Sequence, residues 1–267
     1  MPIALVTGST DGIGLETARQ LLARGWDVLV HGRSQARAVQ ALETLGKGAQ
    51  GRAQAVWGDL ASMDSVRDLA GQVQTAAPAL DVLLLNAGVF ESRRSLSADG
   101  FERTMAVNHF AHLHLVLRLR RNLESAAAPR VVWVSSMVHC SAHLDLDDLD
   151  LARNWSGYGS YGASKLANAV CAAQMSRMAE FKRVLCFSLH PGVIGTKLLH
   201  QNFGSQGAPL KEGAETSIYC STAAGLEALN GAYFNRSAPA KAHALVSDAA
   251  FGTGLWQTSL DRLKSWL

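Results

Sequence analysis

The stretch Ile3-Ala4-Leu5-Val6-Thr7-Gly8-Ser9-Thr10-Asp11-Gly12-Ile13-Gly14 decides the fold. An apolar run of strand length, Ile3 to Thr7, meets a glycine-rich turn, and apolar residues then recur at helical spacing from Thr17 to Arg24. Glycines at such a turn let the backbone close on a pyrophosphate and leave the first N–H groups of the next helix free to bind it. A tight strand-to-helix turn can be Gly-rich for its own sake. Its place as the first βα turn points to a dinucleotide, because doubly wound sheets bind dinucleotides there.

Further apolar runs follow at Val28 to His31, Ala53 to Trp57, Val82 to Leu85, Val131 to Val134, Val184 to Leu189 and, more weakly, Ala232 to Phe234. They do not alternate apolar with polar residues, so each strand buries both faces, the signature of a parallel sheet covered on two sides. Between them Met63 to Ala77, Arg103 to Leu123 and Ser164 to Met178 carry apolar residues three and four apart. The pattern predicts an α/β fold, a doubly wound Rossmann-type sheet of about seven parallel strands with helices on both faces. No linker or repeat divides the chain, which reads as a single domain over residues 1–267.

With 48% hydrophobic and 18% charged residues, the composition excludes disorder and coiled coils. The net charge of +3 comes without any Lys/Arg block, so nucleic acid is not an expected partner. Cys140, Cys171, Cys186 and Cys220 form no CxxC pair and read as buried thiols in a reducing compartment. No apolar run reaches transmembrane length, and Met1-Pro2 leads straight into the first strand rather than a basic leader. A cytoplasmic protein without a membrane anchor is the expectation.

The turn T-G-x-x-x-G-I-G resembles that of the short-chain dehydrogenase/reductase superfamily, single-domain branch, and further matches follow in order. They are Asp59-Leu60 after the third strand, Asn86-Ala87-Gly88 after the fourth, Asn108 in the next helix, Ser135-Ser136 after the fifth, Tyr161-Gly162-Ala163-Ser164-Lys165, and Pro191-Gly192 after the sixth. Val107-Asn108-His109-Phe110, Lys165-Leu166-Ala167-Asn168, His190-Pro191-Gly192-Val193, the segment from Asp248 to Trp256 and the 25 residues separating Ser136 from Tyr161 are similar to the retinol dehydrogenase-like branch. The resemblance implies a hydride-transferring oxidoreductase acting on a carbonyl or alcohol. It implies that the dinucleotide lies against Gly8, Ser9, Thr10, Asp11, Gly12, Ile13, Gly14, Asp59, Leu60, Asn86, Ala87 and Gly88. Pro191, Gly192, Val193 and Thr196 hold its carboxamide end by the same implication.

The second strand ends Val30-His31-Gly32-Arg33-Ser34, with Gly32 where the family's acidic, ribose-binding residue stands. Arg33 can hold a 2′-phosphate through parallel charged hydrogen bonds, so NADP is the expected cofactor in preference to NAD. Asp11 departs from members with a second basic residue in the glycine turn.

Tyr161 and Lys165, four apart on a helix, share one face. An adjacent ammonium and an oxidised nicotinamide would lower the phenol's pKa, fitting Tyr161 as the acid that protonates a carbonyl oxygen as hydride arrives. Ser136 donates to the same oxygen, with Ser135 pointing the other way; choosing between them rests on the resemblance. Asn108 is a family catalytic residue through a water joined to Lys165, or else a core Asn with local hydrogen bonds. Lys165 also meets the nicotinamide ribose by resemblance. Tyr158 has Gly162, not a Lys, four residues on.

No metal is expected: His109, His112 and His114, and the pair His139 and His143, read as structural, and the carboxylates of 142–159 as a solvated loop. Substrate choice falls to Met137 to Cys140, Gly157 to Tyr161, and a lid over about 195–213 whose Leu198, Leu199, Phe203 and Leu210 suit a hydrophobic small molecule. A homodimer or homotetramer through the helices at 103–123 and near Tyr161 is a further expectation. The competing readings are a dinucleotide-binding sensor without turnover and a sugar-nucleotide epimerase, for whose larger C-terminal domain little chain remains after Pro191.

Overall fold

A computed structural model describes residues 1–46, 50–204 and 206–267, with Phe203 described by its backbone alone. In chain order the elements are β1 (Ile3–Val6), α1 (Gly12–Ala23), β2 (Asp27–Gly32), α2 (Gln35–Leu45), β3 (Ala53–Trp57), α3 (Met63–Ala76), β4 (Val82–Leu85) and α4 (Arg103–Met105). A π-helical segment (Ala106–Phe110) joins α4 to α5 (Ala111–Glu124), and β5 (Arg130–Val134) and α6 (Gly157–Met175) follow. The chain ends with β6 (Leu185–His190), α7 (Lys197–Phe203), α8 (Leu210–Thr222), β7 (Tyr233–Asn235), β8 (Ala238–Pro239), α9 (Ala244–Ser247) and α10 (Ala249–Leu263).

The strands form one sheet in the order β3-β2-β1-β4-β5-β6-β7-β8, and the seven expected strands are all parallel. The eighth, β8, is an antiparallel edge strand that the apolar pattern did not reveal. Its turn residues, Arg236 and Ser237, both have positive φ (50° and 57°), the conformation of a tight hairpin usually marked by Asn-Gly.

The alternation of side chains divides the core. Ala4, Val6, Val30, Leu84, Val132 and Phe187 pack under α1 and α8, whereas Leu5, Leu83, Leu85 and Trp133 face α3, α5 and α6. Strand order reverses between β1 and β4, and the crevice at their carboxyl ends is where such sheets bind ligands.

Helix α6 is buried from Gly162 through Met175. The sheet covers one side and α10 the other, with Trp256 edge-on to Phe181 at 5.9 Å and the Gln174 amide donating to Thr253. Among the described residues no helix is long and apolar enough to cross a membrane.

Candidate active site

One cavity of about 630 Å³ runs along the carboxyl ends of the strands. Of the residues expected at the cofactor, all line it except Ser9: Gly8, Thr10, Asp11, Gly12, Ile13, Gly14, Arg33, Asp59, Leu60, Asn86, Ala87, Gly88, Tyr161, Lys165, Pro191, Gly192, Val193 and Thr196. Ser9 is buried behind the turn, donating to Val6 O (2.7 Å) and accepting from the His31 N–H (2.9 Å).

The glycine turn is shaped by what it cannot contain. Gly8 has φ +64° and lies so close to β4's end that a Cβ would sit 2.9 Å from Ala87 Cα. A Cβ on Gly14 would come within 2.4 Å of Gly8 O and 2.5 Å of Asn86 Nδ2. Asn86 braces the turn by donating to Thr7 O (2.8 Å), and Thr7 Oγ1 accepts from the N–H groups of Asn86 and Ala87. Asp11 caps α1, accepting from the Gly12 N–H. The result is a close-packed turn with glycines at 8, 12 and 14 at a 12-residue helix's N-terminus, which fits a dinucleotide pyrophosphate.

His31 does more than end a strand. Its Nδ1 accepts from the Gly8 N–H (3.0 Å) and its Nε2–H donates to Gly58 O (2.9 Å), so one neutral tautomer pins the glycine turn to β2 and β3. Burial pushes its pKa down to about 4. Gly32 leaves no room for an acidic side chain, since a Cβ would meet Thr10 Cγ2 at 2.8 Å and Ala38 N at 2.9 Å. Beside it the exposed Arg33 reaches the cavity together with Arg37, in the first turn of α2. Arg37 was not singled out in the sequence; its place four residues after Arg33, past a serine at the helix start, is the signal that marks it.

Ser136, Tyr161 and Lys165 come together on the cavity wall. Ser135 points to α6, donating to Lys165 O (2.6 Å), while Ser136 hydrogen-bonds the Tyr161 hydroxyl. The Lys165 ammonium lies 5.5 Å from the Tyr161 ring centroid and donates to Val134 O (3.0 Å). Gly88 makes room for it, a Cβ there lying 3.3 Å from Nζ. The pKa pattern departs from the expected lowering by Lys165. Burial dominates and pushes the Tyr161 phenol up to about 12, with the Ser136 hydrogen bond pulling the other way. Burial likewise pushes Lys165 down to about 8.

Asn108 does not line the cavity. Its carboxamide is bonded to both backbone groups of Val89 (2.8 and 3.0 Å) and to Ser164 Oγ (3.0 Å), which are the local partners of a core Asn. It fixes the chain after β4 against α6, and its own carbonyl accepts from His112 Nδ1 (3.0 Å). Among the described residues no group of His, Cys, Asp and Glu is arranged to hold a metal.

At the far end Met137, Val138, Leu198 and Leu199 give the cavity apolar walls, whereas Cys140, Tyr158 and Leu210 do not line it. The expected lid is in three parts. Helix α7 overhangs the cavity, residues 206–209 turn back to pair Ala208 with Ile194, and Leu210 already begins α8. Ser205 and the Phe203 side chain lie outside the described residues. Lys197, unremarked in the sequence, forms an ion pair with Asp11 from lid to glycine turn.

The family model for short chain dehydrogenases matches residues 2–207. Mouse retinol dehydrogenase 14 is 32% identical over 96% of this chain and 84% of its own length. Mouse polyprenol dehydrogenase is 34% identical over 97% and 82% respectively. Among solved structures, an uncharacterised protein of Mycobacterium paratuberculosis superposes with a TM-score of 0.80 at 27% identity, covering 99% of this chain and 94% of that one. The chain belongs to the short-chain dehydrogenase/reductase family of oxidoreductases and is retinol dehydrogenase-like within it.

Proposed function

We propose that this protein is an NADP-preferring oxidoreductase that interconverts a hydrophobic carbonyl compound and its alcohol. The observation that carries the reading is the meeting of Ser136, Tyr161 and Lys165 in the cavity that the glycine turn also lines. When bound, a nicotinamide dinucleotide supplies or accepts the hydride and, oxidised, brings a positive ring charge.

The chain's own residues account for the rest. Ser136 and the protonated Tyr161 orient a carbonyl oxygen, and Tyr161 delivers its proton as charge develops there. Lys165, fixed by Val134 O, holds positive charge behind the phenol in the neutral range, because its pKa of about 8 leaves it mostly protonated at pH 7. Arg33 and Arg37 would grip a 2′-phosphate, where Gly32 leaves no carboxylate to repel it. Met137, Val138, Leu198 and Leu199 favour an apolar substrate, and the polyprenol and retinol named in the relatives are both of that character.

NADPH consumption against a panel of hydrophobic aldehydes and ketones tests the reading, with Tyr161→Phe as control. Turnover by the parent and a loss of about a hundredfold or more in the variant, with NADPH binding retained, is expected. Silence across the panel despite NADPH binding favours a sensor, and a Tyr161→Phe variant as fast as the parent removes the assigned acid.

A further inference from the structure

His139 follows the reacting serine by three residues and is fully buried, outside the cavity. Its Nδ1 lies 2.6 Å from Ser136 O, an acceptor, so Nδ1 carries the proton. Its Nε2 is then the acceptor for the His243 backbone N–H at 3.3 Å. The ring sits edge-on against Tyr233, centroids 4.5 Å apart, and the Cys140 sulfur lies 3.8 Å from each ring nitrogen. Besides that thiol each ring nitrogen has one backbone partner, and only the neutral imidazole in one tautomer satisfies both of those. From the other side of the same loop the Met137 N–H donates to His190 Nδ1 at 3.3 Å.

Strand β5 ends at Val134, and the last bond to β6 is made by the Ser135 N–H to Leu189 O (2.8 Å). The Ser136 carbonyl is held from its own loop instead, by the His139 backbone N–H (3.1 Å) and by the His139 ring, and only the ring ties it to a distant segment. The Ser136 hydroxyl depends on that peptide's orientation to meet both Tyr161 and a substrate oxygen. From this geometry we infer that His139 is a positioning residue: it locks the Ser136 carbonyl to the backbone at His243 and so aims the Ser136 hydroxyl at Tyr161. The inference rests on the proposed carbonyl chemistry and extends it to the segment between β7 and α9, remote in sequence from the serine.

His139→Ala, His139→Asn and His139→Gln test it. Asn places an amide N–H near the Nδ1 position and can still donate to Ser136 O, whereas Gln places its amide near Nε2 and cannot. A loss of about ten- to a hundredfold in kcat is expected for Ala and Gln, the scale of a misaimed reacting group, with Asn recovering most of it. NADPH affinity stays at the parent's value in all three. Because the Ser136 hydrogen bond lowers the Tyr161 pKa, the pH limb of alcohol oxidation moves to higher pH in Ala and Gln but not in Asn.

A folded Ala variant with the parent's kcat and pH limb overturns the strut, as does a Gln variant equal to Asn. If Ala does not fold, the Asn and Gln pair decides. Long-range ¹H–¹⁵N NMR gives a reading independent of turnover: the Nδ1–H tautomer of His139 is required, and the Nε2–H tautomer overturns the strut. A parent that is silent on every carbonyl refutes the proposed reaction, and the tautomer then judges the strut alone.

Discussion

Replacing Arg33 with Asp is the sharpest test of how the dinucleotide's ribose end is read. One hydrogen bond to a charged group contributes about 1.5–3 kcal/mol, and the exposure of Arg33 places it in the lower half of that range. The new carboxylate adds repulsion of about 0.5 kcal/mol at a separation of roughly 7 Å in water. Together these give about 2–2.5 kcal/mol against NADP, a factor of about 30–70 in its Kd. NAD lacks the phosphate and gains a partner for its ribose hydroxyl, so its Kd stays level or falls. Arg37→Ala, which removes the second guanidinium without adding an anion, is expected to cost about 1 kcal/mol, or roughly fivefold. If both grip one phosphate, the double variant Arg33→Ala/Arg37→Ala departs from additivity. NADPH and NADH fluorescence titrations at two salt concentrations give the ratio, and the NADP preference weakens at the higher salt. An NADP-to-NAD ratio within about twofold of the parent in every variant would falsify the assignment, since even the smaller effect exceeds that.

Three further outcomes follow from the packing and the buried charges. Gly14→Ala must push Gly8 or Asn86 aside, since its Cβ starts 2.4 and 2.5 Å from them. That overpacking costs about 1–3 kcal/mol, so Tm falls and NADPH affinity drops with it; an unchanged Kd would separate the turn from binding. His31, His109 and His112 are fully buried, with burial holding their pKa values at about 4, 4 and 3. A depressed folded-state pKa means these imidazoles bind protons on unfolding, so stability is complete above about pH 6.5 and is lost as pH falls toward 4. The expected slope near pH 5 is about 4 kcal/mol per pH unit, read from urea midpoints at pH 7, 6 and 5, and a flat profile contradicts the burial. Trp256→Ala removes the buried ring of α10 that packs edge-on against Phe181, at a cost of about 3–5 kcal/mol that lowers Tm by about 10 °C; an unshifted Tm refutes the contact.

Most of the sheet was legible in the sequence because a buried parallel strand announces itself as an unbroken apolar run. Helix starts were harder. Helix α6 begins at Gly157, seven residues before its apolar pattern is legible, because Ser156 caps it and its first turns are Gly- and Ser-rich. Strand β8 escaped because Arg-Ser takes the place of glycine in its turn. Of the residues that line the cavity, Gly8, Gly14, Tyr161 and Lys165 were legible because each stands in a short motif. The site was not readable at Arg37, Lys197, His31 and His139, whose roles depend on which distant backbone they face. The hydrogen bonds of Asn108 were not legible, because its partners, Val89 and Ser164, come from two other segments.

The opposite pKa shifts of Tyr161 and Lys165 have one cause and one consequence. Both charged forms lose solvation in the same wall, so the phenol rises to about 12 while the amine falls to about 8. Left to the protein, Tyr161 is therefore an acid that keeps its proton throughout the neutral range, a fitting state for giving that proton to a carbonyl oxygen. Taking a proton from an alcohol asks more, since a buried phenolate must form, and only the Lys165 charge, the Ser136 hydrogen bond and a cationic ring can offset that cost. As pH climbs past about 8 the lysine charge fades before the phenol can ionise. The helix that carries both residues is packed between the sheet and α10, and that packing sets the separations on which the balance depends.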